Sequence, residues 1–335
     1  MTGREITVAL GGDTMLGREV ARVLESRERA GLFSAGVVAA LRQADLVVLN
    51  LECCISVRGE RWPDPGKPFF FRAPPAAVDV LTALGVDCVT LANNHALDYG
   101  TVALVDTLET LRAAGIETVG AGRDLAEARR PVVLEANGFR LGVIGVTDHP
   151  SEYAASERTP GVAHASLGPQ LPAWLAAAVA ELETDAVLVT PHWGPNMTER
   201  PLRRVRAAGA AFLRAGATVV AGHSAHVFHG VEDHVLYDLG DFIDDYATHP
   251  TLRNDRGLLF VLTLDDRGPV RLEALPLKLD FCRTRLADGE DEAWIRRRFA
   301  EACARFGTGV SERDGRLVVE FRPSPPPSPT ARPQR

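Results

Sequence analysis

The chain has 335 residues, 46% of them hydrophobic and 24% charged. That length and apolar content suit one large α/β domain, alone or with a small appendage. A formal net charge of −7 argues against a nucleic-acid partner, which needs a clustered basic surface, and favours cations, metals included.

Short apolar runs alternate with helical patterns. Ile6 to Leu10 reads as a strand ending in Gly11-Gly12-Asp13, with a helical stretch from about Arg18. Leu46 to Leu49 is a second buried strand, ending in Asn50-Leu51-Glu52. Ala76 to Leu84 reads as helix and Cys88 to Leu91 as strand, followed by Ala92-Asn93-Asn94-His95. Thr101 to Ala113 is a helix closed by Gly115, a common C-terminal stop. Strands follow at 116–119, 131–135 and 141–146, then an Ala-rich helix over 171–182. The strand 186–190 runs into Pro191-His192-Trp193-Gly194, the helix 203–214 follows, and the strand 218–221 ends in Gly222-His223. The later strands 235–237, 258–264 and 270–277 have little helix between them and read as an antiparallel addition. Such alternation predicts parallel strands flanked by helices, here with a second or mixed sheet. Residues 290–305 form a charged amphipathic helix, and the Pro-rich tail 321–335 cannot build a core.

The five cysteines, Cys53, Cys54, Cys88, Cys282 and Cys303, are odd in number and contain no C-x2-C pair. They read as reduced thiols of a cytoplasmic protein. Neither a signal-peptide pattern nor an apolar run of membrane-spanning length is seen.

Five strand ends carry the chemistry: Asp13, Glu52, Asn94-His95, His192 and His223-x-x-His226. In open α/β sheets the carboxyl ends of the strands line the ligand crevice. Carboxylate, amide oxygen and imidazole are the ligand types of Zn, Mn and Fe. Taken singly, each piece has an ordinary reading: a turn, a helix cap or a satisfied histidine. Their recurrence at five strand ends predicts one metal site. Arg18, at a helix start, reads equally as a surface arginine or as an anion holder aided by the helix N-terminus. Trp193 is the other candidate for substrate contact. Cys53 beside Glu52 reads as a small buried hydrophobe.

The motifs Gly-Gly-Asp13-Thr-Met-Leu-Gly-Arg18, Asn50-Leu-Glu52, Leu91-Ala-Asn-Asn-His95-Ala-Leu-Asp98-Tyr-Gly100, His192-Trp-Gly194, Gly222-His-Ser-Ala-His226 and Tyr237-Asp-Leu-Gly-Asp-Phe242 resemble the CapA family of capsule, or poly-γ-glutamate, synthesis proteins. That family looks like a branch of the calcineurin-like metallophosphoesterases. The resemblance runs from about residue 5 to about residue 265. It implies a four-layer α/β/β/α metallophosphatase-like sandwich with two central mixed sheets, and one or two divalent ions (Mn, Zn or Fe). It also implies roles. Asp13 would bind the first metal and Glu52 would bridge. Asn94, His192 and His223 would bind the second, and His226 would return to the first. His95 would protonate a leaving group, with Asp98 orienting it.

The chain departs from the wider group at Met15, where a histidine ligand is usual, at Glu52 in place of Asp, and in the His-x-x-His spacing. These changes weaken the first metal site more than the second and leave a mononuclear site open. Asp241 stands where relatives commonly carry Asn; it adds a carboxylate near the site or caps a turn. His229 reads as peripheral, and the membrane anchor of many relatives is not seen. The expected organisation is a catalytic-type domain over 1–280, a helix-and-strand extension over 281–320, and the tail. The expected function is metal-dependent hydrolysis of a phosphoester linked to poly-γ-glutamate synthesis. The alternative is a non-catalytic or mononuclear accessory protein for that polymer. Arg200, Arg203, Arg204 and Arg206 would supply a groove for a polyanion or form a solvated basic helix face. Oligomeric state is not legible.

Overall fold

The computed structural model describes residues 4–26 and 31–321. The tail beyond 321 lies outside the described residues.

Two large mixed sheets carry the chain. In spatial order the first contains Ser311–Arg313, Arg316–Glu320, Gly268–Asp280, Arg256–Asp265, Glu5–Thr14, Leu46–Leu51, Cys88–Thr90 and Glu117–Val119. The short strands Asp241–Ile243 and Arg283–Leu286 pair with Glu5–Thr14 and Gly268–Asp280. Glu5–Thr14 lies parallel to Leu46–Leu51 and antiparallel to Arg256–Asp265. The sheet therefore joins a parallel half to an antiparallel one. The second sheet contains Val231–Glu232, Val235–Leu236, Val219–Ala221, Ala186–His192, Phe139–Thr147 and Val132–Ala136, mostly parallel with antiparallel edges.

The period of two along each strand builds the layers. On the first sheet Ile6, Val8, Leu10, Leu46 and Val48 face the second sheet, meeting its Leu141, Val143, Ala186, Leu188 and Val219. The alternate residues Ala9, Val47, Leu49 and Leu51 pack on helices through Val20, Leu41, Leu81 and Leu104. On the second sheet Ile144, Val146, Val187, Val189 and Val220 pack outward on Leu175, Val179, Val205 and Phe212. Three apolar layers between four secondary-structure layers make an α/β/β/α sandwich, as expected.

The segment 281–320 is integral to this core. Arg283–Leu286 and Arg316–Glu320 both extend the first sheet. The helix Gly289–Ala304 sends Ile295, Phe299 and Cys303 into the layer between the sheets. All five cysteines are buried and free, Cys53 among apolar side chains as read. No helix among the described residues is long and apolar enough to cross a membrane.

Candidate metal centre

The ligand-type residues sit on the C-terminal ends of strands from both sheets, so they meet where the sheets face each other. Asp13 lies near the end of Glu5–Thr14, Glu52 just past Leu46–Leu51, and Asn94 and His95 in the turn after Cys88–Thr90. His192 ends its strand and bridges to His223 just past Val219–Ala221. Asp241 opens a short strand running parallel to Glu5–Thr14, in register with Asp13. Glycines permit these approaches. A Cβ at Gly12 would lie 1.7 Å from the Gly240 carbonyl oxygen, and one at Gly222 would lie 2.4 Å from the Trp193 indole nitrogen.

Asp13, Glu52, His226 and Asp241 form one four-residue group, with one ligand atom of each within 4.8 Å of the others; Asp13, His192 and His223 form a second. Asp13 is therefore the shared member, where the resemblance implied Glu52. It receives the Asn50 amide N–H on Oδ1 at 2.6 Å, and its carboxylate lies 3.2 Å from His226 Nδ1 and 4.0 Å from His223 Nδ1. Asn93 in turn donates to Asn50 at 3.0 Å, so an amide chain fixes the face that Asp13 presents. His226 Nδ1 is 2.8 Å from Asp241 Oδ1. The Nδ1 atoms of His192 and His223 are 2.7 Å apart.

Electrostatics divide the site into two halves. Burial pushes Glu52 well above the usual carboxylate range, and repulsion from Asp13 and Asp241 adds to it. Burial also raises Asp241, with His226 opposing. Burial alone would lower His226, but Asp241, Glu52 and Asp13 hold it well above its ordinary value. Asp13 stays below its usual value because His226, His223 and Asn50 outweigh its burial. In the other half, burial and neighbouring imidazoles depress His192, and burial brings His223 down to about 4. Those two rings are neutral, the form that ligates.

The donor set fits a cation. Asp13 Oδ2, both Glu52 oxygens, Asn94 Oδ1, His223 Nε2 and Asp241 Oδ2 are buried without a hydrogen-bond partner. Buried carboxylates cost several kcal/mol unless paired or metal-bound (roughly 2–7 even for neutral polar groups). Met15 supplies nothing here: it is fully buried, and its sulfur accepts the Gly17 N–H at 3.1 Å. Asp241, read above as either a nearby carboxylate or a turn cap, supplies a fourth donor to the half that Met15 leaves short.

His95 borders the cluster. Its Nδ1 is 2.6 Å from Asp98 Oδ2 and its Nε2 is 3.8 Å from Glu52 Oε1. Asp98 thus meets the His95 ring nitrogen that is turned away from Glu52. A cleft of about 440 Å³ opens beside His95 and Asn94, walled by Trp62, Lys67, His149 and Tyr153. Lys67, Phe71 and Tyr153 gave no sequence signal, because they lie in irregular segments without periodicity; His149, two residues past the end of Phe139–Thr147, had the same strand-end placement as His223 and was missed.

Two expectations need correcting. Trp193 is 3% exposed in the outer apolar layer of the second sheet, and its indole N–H donates to the Tyr237 carbonyl at 2.9 Å. Its aromatic surface is spent on packing, so it does not contact a substrate. Arg18 lies at the rim, its guanidinium 5.6 Å over the Phe69 ring and its Nε 3.4 Å from Asp245. The adjacent helix N-terminus is already taken, since Glu19 N–H donates to Asp245 Oδ2 at 2.8 Å. An anion would meet Arg18 without that helix end. Of the four arginines read as a possible groove, Arg204 pairs with Asp148, Arg206 with Glu232 and Arg200 lies 4.0 Å from Glu199. His229 Nε2 donates to the Thr198 carbonyl, 2.7 Å away, outside both ligand groups.

Residues 7–246 match the family described as bacterial capsule synthesis protein PGA_cap. A probable polyglutamine synthesis accessory protein of Mycobacterium tuberculosis is 30% identical, covering 93% of this chain and 95% of its own length. The PGA biosynthesis protein CapA of Bacillus subtilis is 29% identical over 82% of this chain and 72% of its own. A hypothetical protein from Thermus thermophilus superposes with a TM-score of 0.49 at 17% identity, covering 82% of this chain and 99% of that one. With its strand-end motifs gathered at one site and its family profile matched over most of its length, the chain belongs to the bacterial capsule synthesis protein family, PGA_cap.

Proposed function

We propose that this chain is a metal-dependent hydrolase that cleaves a phosphoester, and that it serves the assembly or trimming of a poly-glutamate polymer. The observation that carries the reading is the set of buried, unpartnered donor atoms of Asp13, Glu52, His223 and Asp241 within two ligand groups that share Asp13, with the buried, unpartnered Asn94 oxygen on the neighbouring turn. Asp13, Glu52, His226 and Asp241 would hold one divalent cation, and Asp13, Asn94, His192 and His223 a second; Mn, Zn and Fe suit this mix of oxygen and nitrogen donors. Such cations supply Lewis acidity and make water a stronger acid.

The chain's own groups do the rest. His95 is held by Asp98 at Nδ1, so in the doubly protonated ring, a charge that burial opposes and Asp98 favours, the Nε2–H is free to pass to the leaving oxygen. Asn50 and Asn93 fix the Asp13 carboxylate so that it need not reorganise during the reaction. The cleft beside His95 receives the leaving group, and Arg18 at the rim meets substrate charge. The test joins metal analysis of the purified chain to a panel of phosphate mono- and diesters with added Mn, Zn or Fe. Bound transition metal and metal-dependent ester cleavage are expected, both lost in a His192→Ala/His223→Ala variant. Unchanged metal content in that variant would refute the reading.

A second reading is a non-catalytic accessory role in polymer synthesis. The absence of a histidine at Met15 and the accessory description of the mycobacterial relative favour it. Metal-independent binding of poly-glutamate, with no cleavage of any ester, would decide for it.

A further inference from the structure

We infer that Lys67 is a positioning residue for the proton-donating His95, pinning the irregular segment 57–71 onto the turn that carries Asn94, His95 and Asp98. The inference rests on the hydrolase reading above. Lys67 is set in the cleft wall with a side chain only 12% exposed. Its Nζ donates to the Asn94 carbonyl oxygen at 2.7 Å and lies 3.0 Å from Asp98 Oδ1. One ammonium group therefore holds both the backbone of a candidate ligand and the carboxylate that orients the proton donor.

Asp98 is the hub of this arrangement. Its Oδ2 takes the His95 Nδ1–H at 2.6 Å and the Phe71 N–H at 2.6 Å. Its Oδ1 takes Lys67 and, at 3.3 Å, the Tyr153 hydroxyl. Two donors on each oxygen fix the plane of the carboxylate, and with it the rotation of the His95 ring. The same segment docks twice more. The Trp62 N–H donates to the Asp98 carbonyl at 2.9 Å. The Phe71 ring stacks on His95 with centroids 3.9 Å apart and planes 25° from parallel. Without Lys67, Oδ1 keeps only the long Tyr153 contact, and a buried carboxylate with an unfilled oxygen turns to find another donor. His95 would then present Nε2 to the leaving oxygen in fewer of its conformations.

A residue that merely folds the loop would slow all substrates alike. A residue that aligns a proton donor matters most where the leaving oxygen needs the proton. The experiment uses the full chain, metal-loaded, with p-nitrophenyl phosphate, whose leaving group departs unprotonated, and with glycerol phosphate, whose alkoxide does not. Lys67→Met is expected to slow the alkyl ester about 10–100-fold more than the aryl ester in kcat, a fraction of what a general acid contributes. Lys67→Arg should restore most of the difference, and metal content should not change. Equal slowing of both esters, or of neither, overturns the proposal, as does loss of metal. Histidine 15N chemical shifts give a second readout, with the His95 signal identified from its absence in His95→Gln. In the parent chain the Nδ1 signal of His95 should be that of a protonated nitrogen both in the neutral ring and in the doubly protonated ring that donates from Nε2, and this fixed Nδ1–H should be lost in Lys67→Met. If the parent chain cleaves neither ester, the hydrolase reading falls, and the 15N readout alone decides: an unaltered His95 tautomer in Lys67→Met refutes the positioning role.

Discussion

Glu52→Gln separates a cation site from a merely polar core, because the two make opposite predictions for the metal-free chain. Glu52 is fully buried, and neither of its carboxylate oxygens has a hydrogen-bond partner. At pH 7 without metal it must bury a charge or take up a proton. Taking up the proton costs at most ~3.7 kcal/mol, the separation of pH 7 from an ordinary glutamate pKa at ~1.36 kcal/mol per unit. The amide removes that cost but leaves its own polar atoms unsatisfied, at about 1–3 kcal/mol. The net expectation is a gain of about 1–2 kcal/mol for the metal-free variant. At about 2.1 cal/mol/K of unfolding entropy per residue, a chain of 335 residues loses or gains roughly 1 °C in Tm per 0.7 kcal/mol, so the variant should melt about 2 °C higher. With metal at 100 times its Kd, the parent chain gains ~2.7 kcal/mol, about 4 °C. A variant whose affinity has fallen roughly a hundredfold keeps only ~0.4 kcal/mol of that, under about 1 °C. The two melting curves should therefore change order when metal is added. Calorimetry with chelator and with excess Mn measures both. A variant that melts lower without metal, yet keeps the full metal-dependent rise, would show that Glu52 is a packing residue and no ligand.

The charge state of His226 predicts a pH-dependent affinity. Three carboxylates hold its pKa well above the ordinary value, so in the metal-free chain it carries a proton at neutral pH that a cation must displace. Binding should release protons and tighten as pH rises; titration calorimetry in buffers of differing ionisation enthalpy, showing no proton release, would contradict this. The C-terminal segment should be inseparable from the fold. Phe299 is fully buried between Phe228 and Phe260, and Phe299→Ala should cost about 3–5 kcal/mol, about 4–7 °C in Tm. A loss below about 1 kcal/mol would mean that residues 281–320 are an appendage.

The layers were legible because they depend on local alternation. Ile6, Val8 and Leu10 against Ala9, and Leu141 and Val143 against Ile144 and Val146, already declare two faces to bury. A strand buried on both faces in an α/β chain leaves its polar residues at its ends, which is why Asp13, Glu52, Asn94, His192 and His223 could be picked out before any coordinates. The helix Ala35–Arg42 escaped notice because its AGVVAALR run is apolar on most sides and so has little periodicity to detect.

What the amino-acid order determined alone was the chemistry available at each strand end and the period that sends it to one edge of a sheet. What it left open was how the two sheets face each other, because that depends on contacts between residues far apart in the chain. Asp241 joins the cluster only because its short strand pairs with Asp13 across a close approach of Gly12 to Gly240. Trp193 follows a ligand in sequence yet turns into the opposite apolar layer, where its indole finds the Tyr237 carbonyl. Lys67 carries no signal of its own; its place beside Asp98 exists only once an aperiodic segment is folded over the turn. Alternation along a strand is a property of neighbours and survives in the sequence, whereas proximity across sheets and loops is decided by packing.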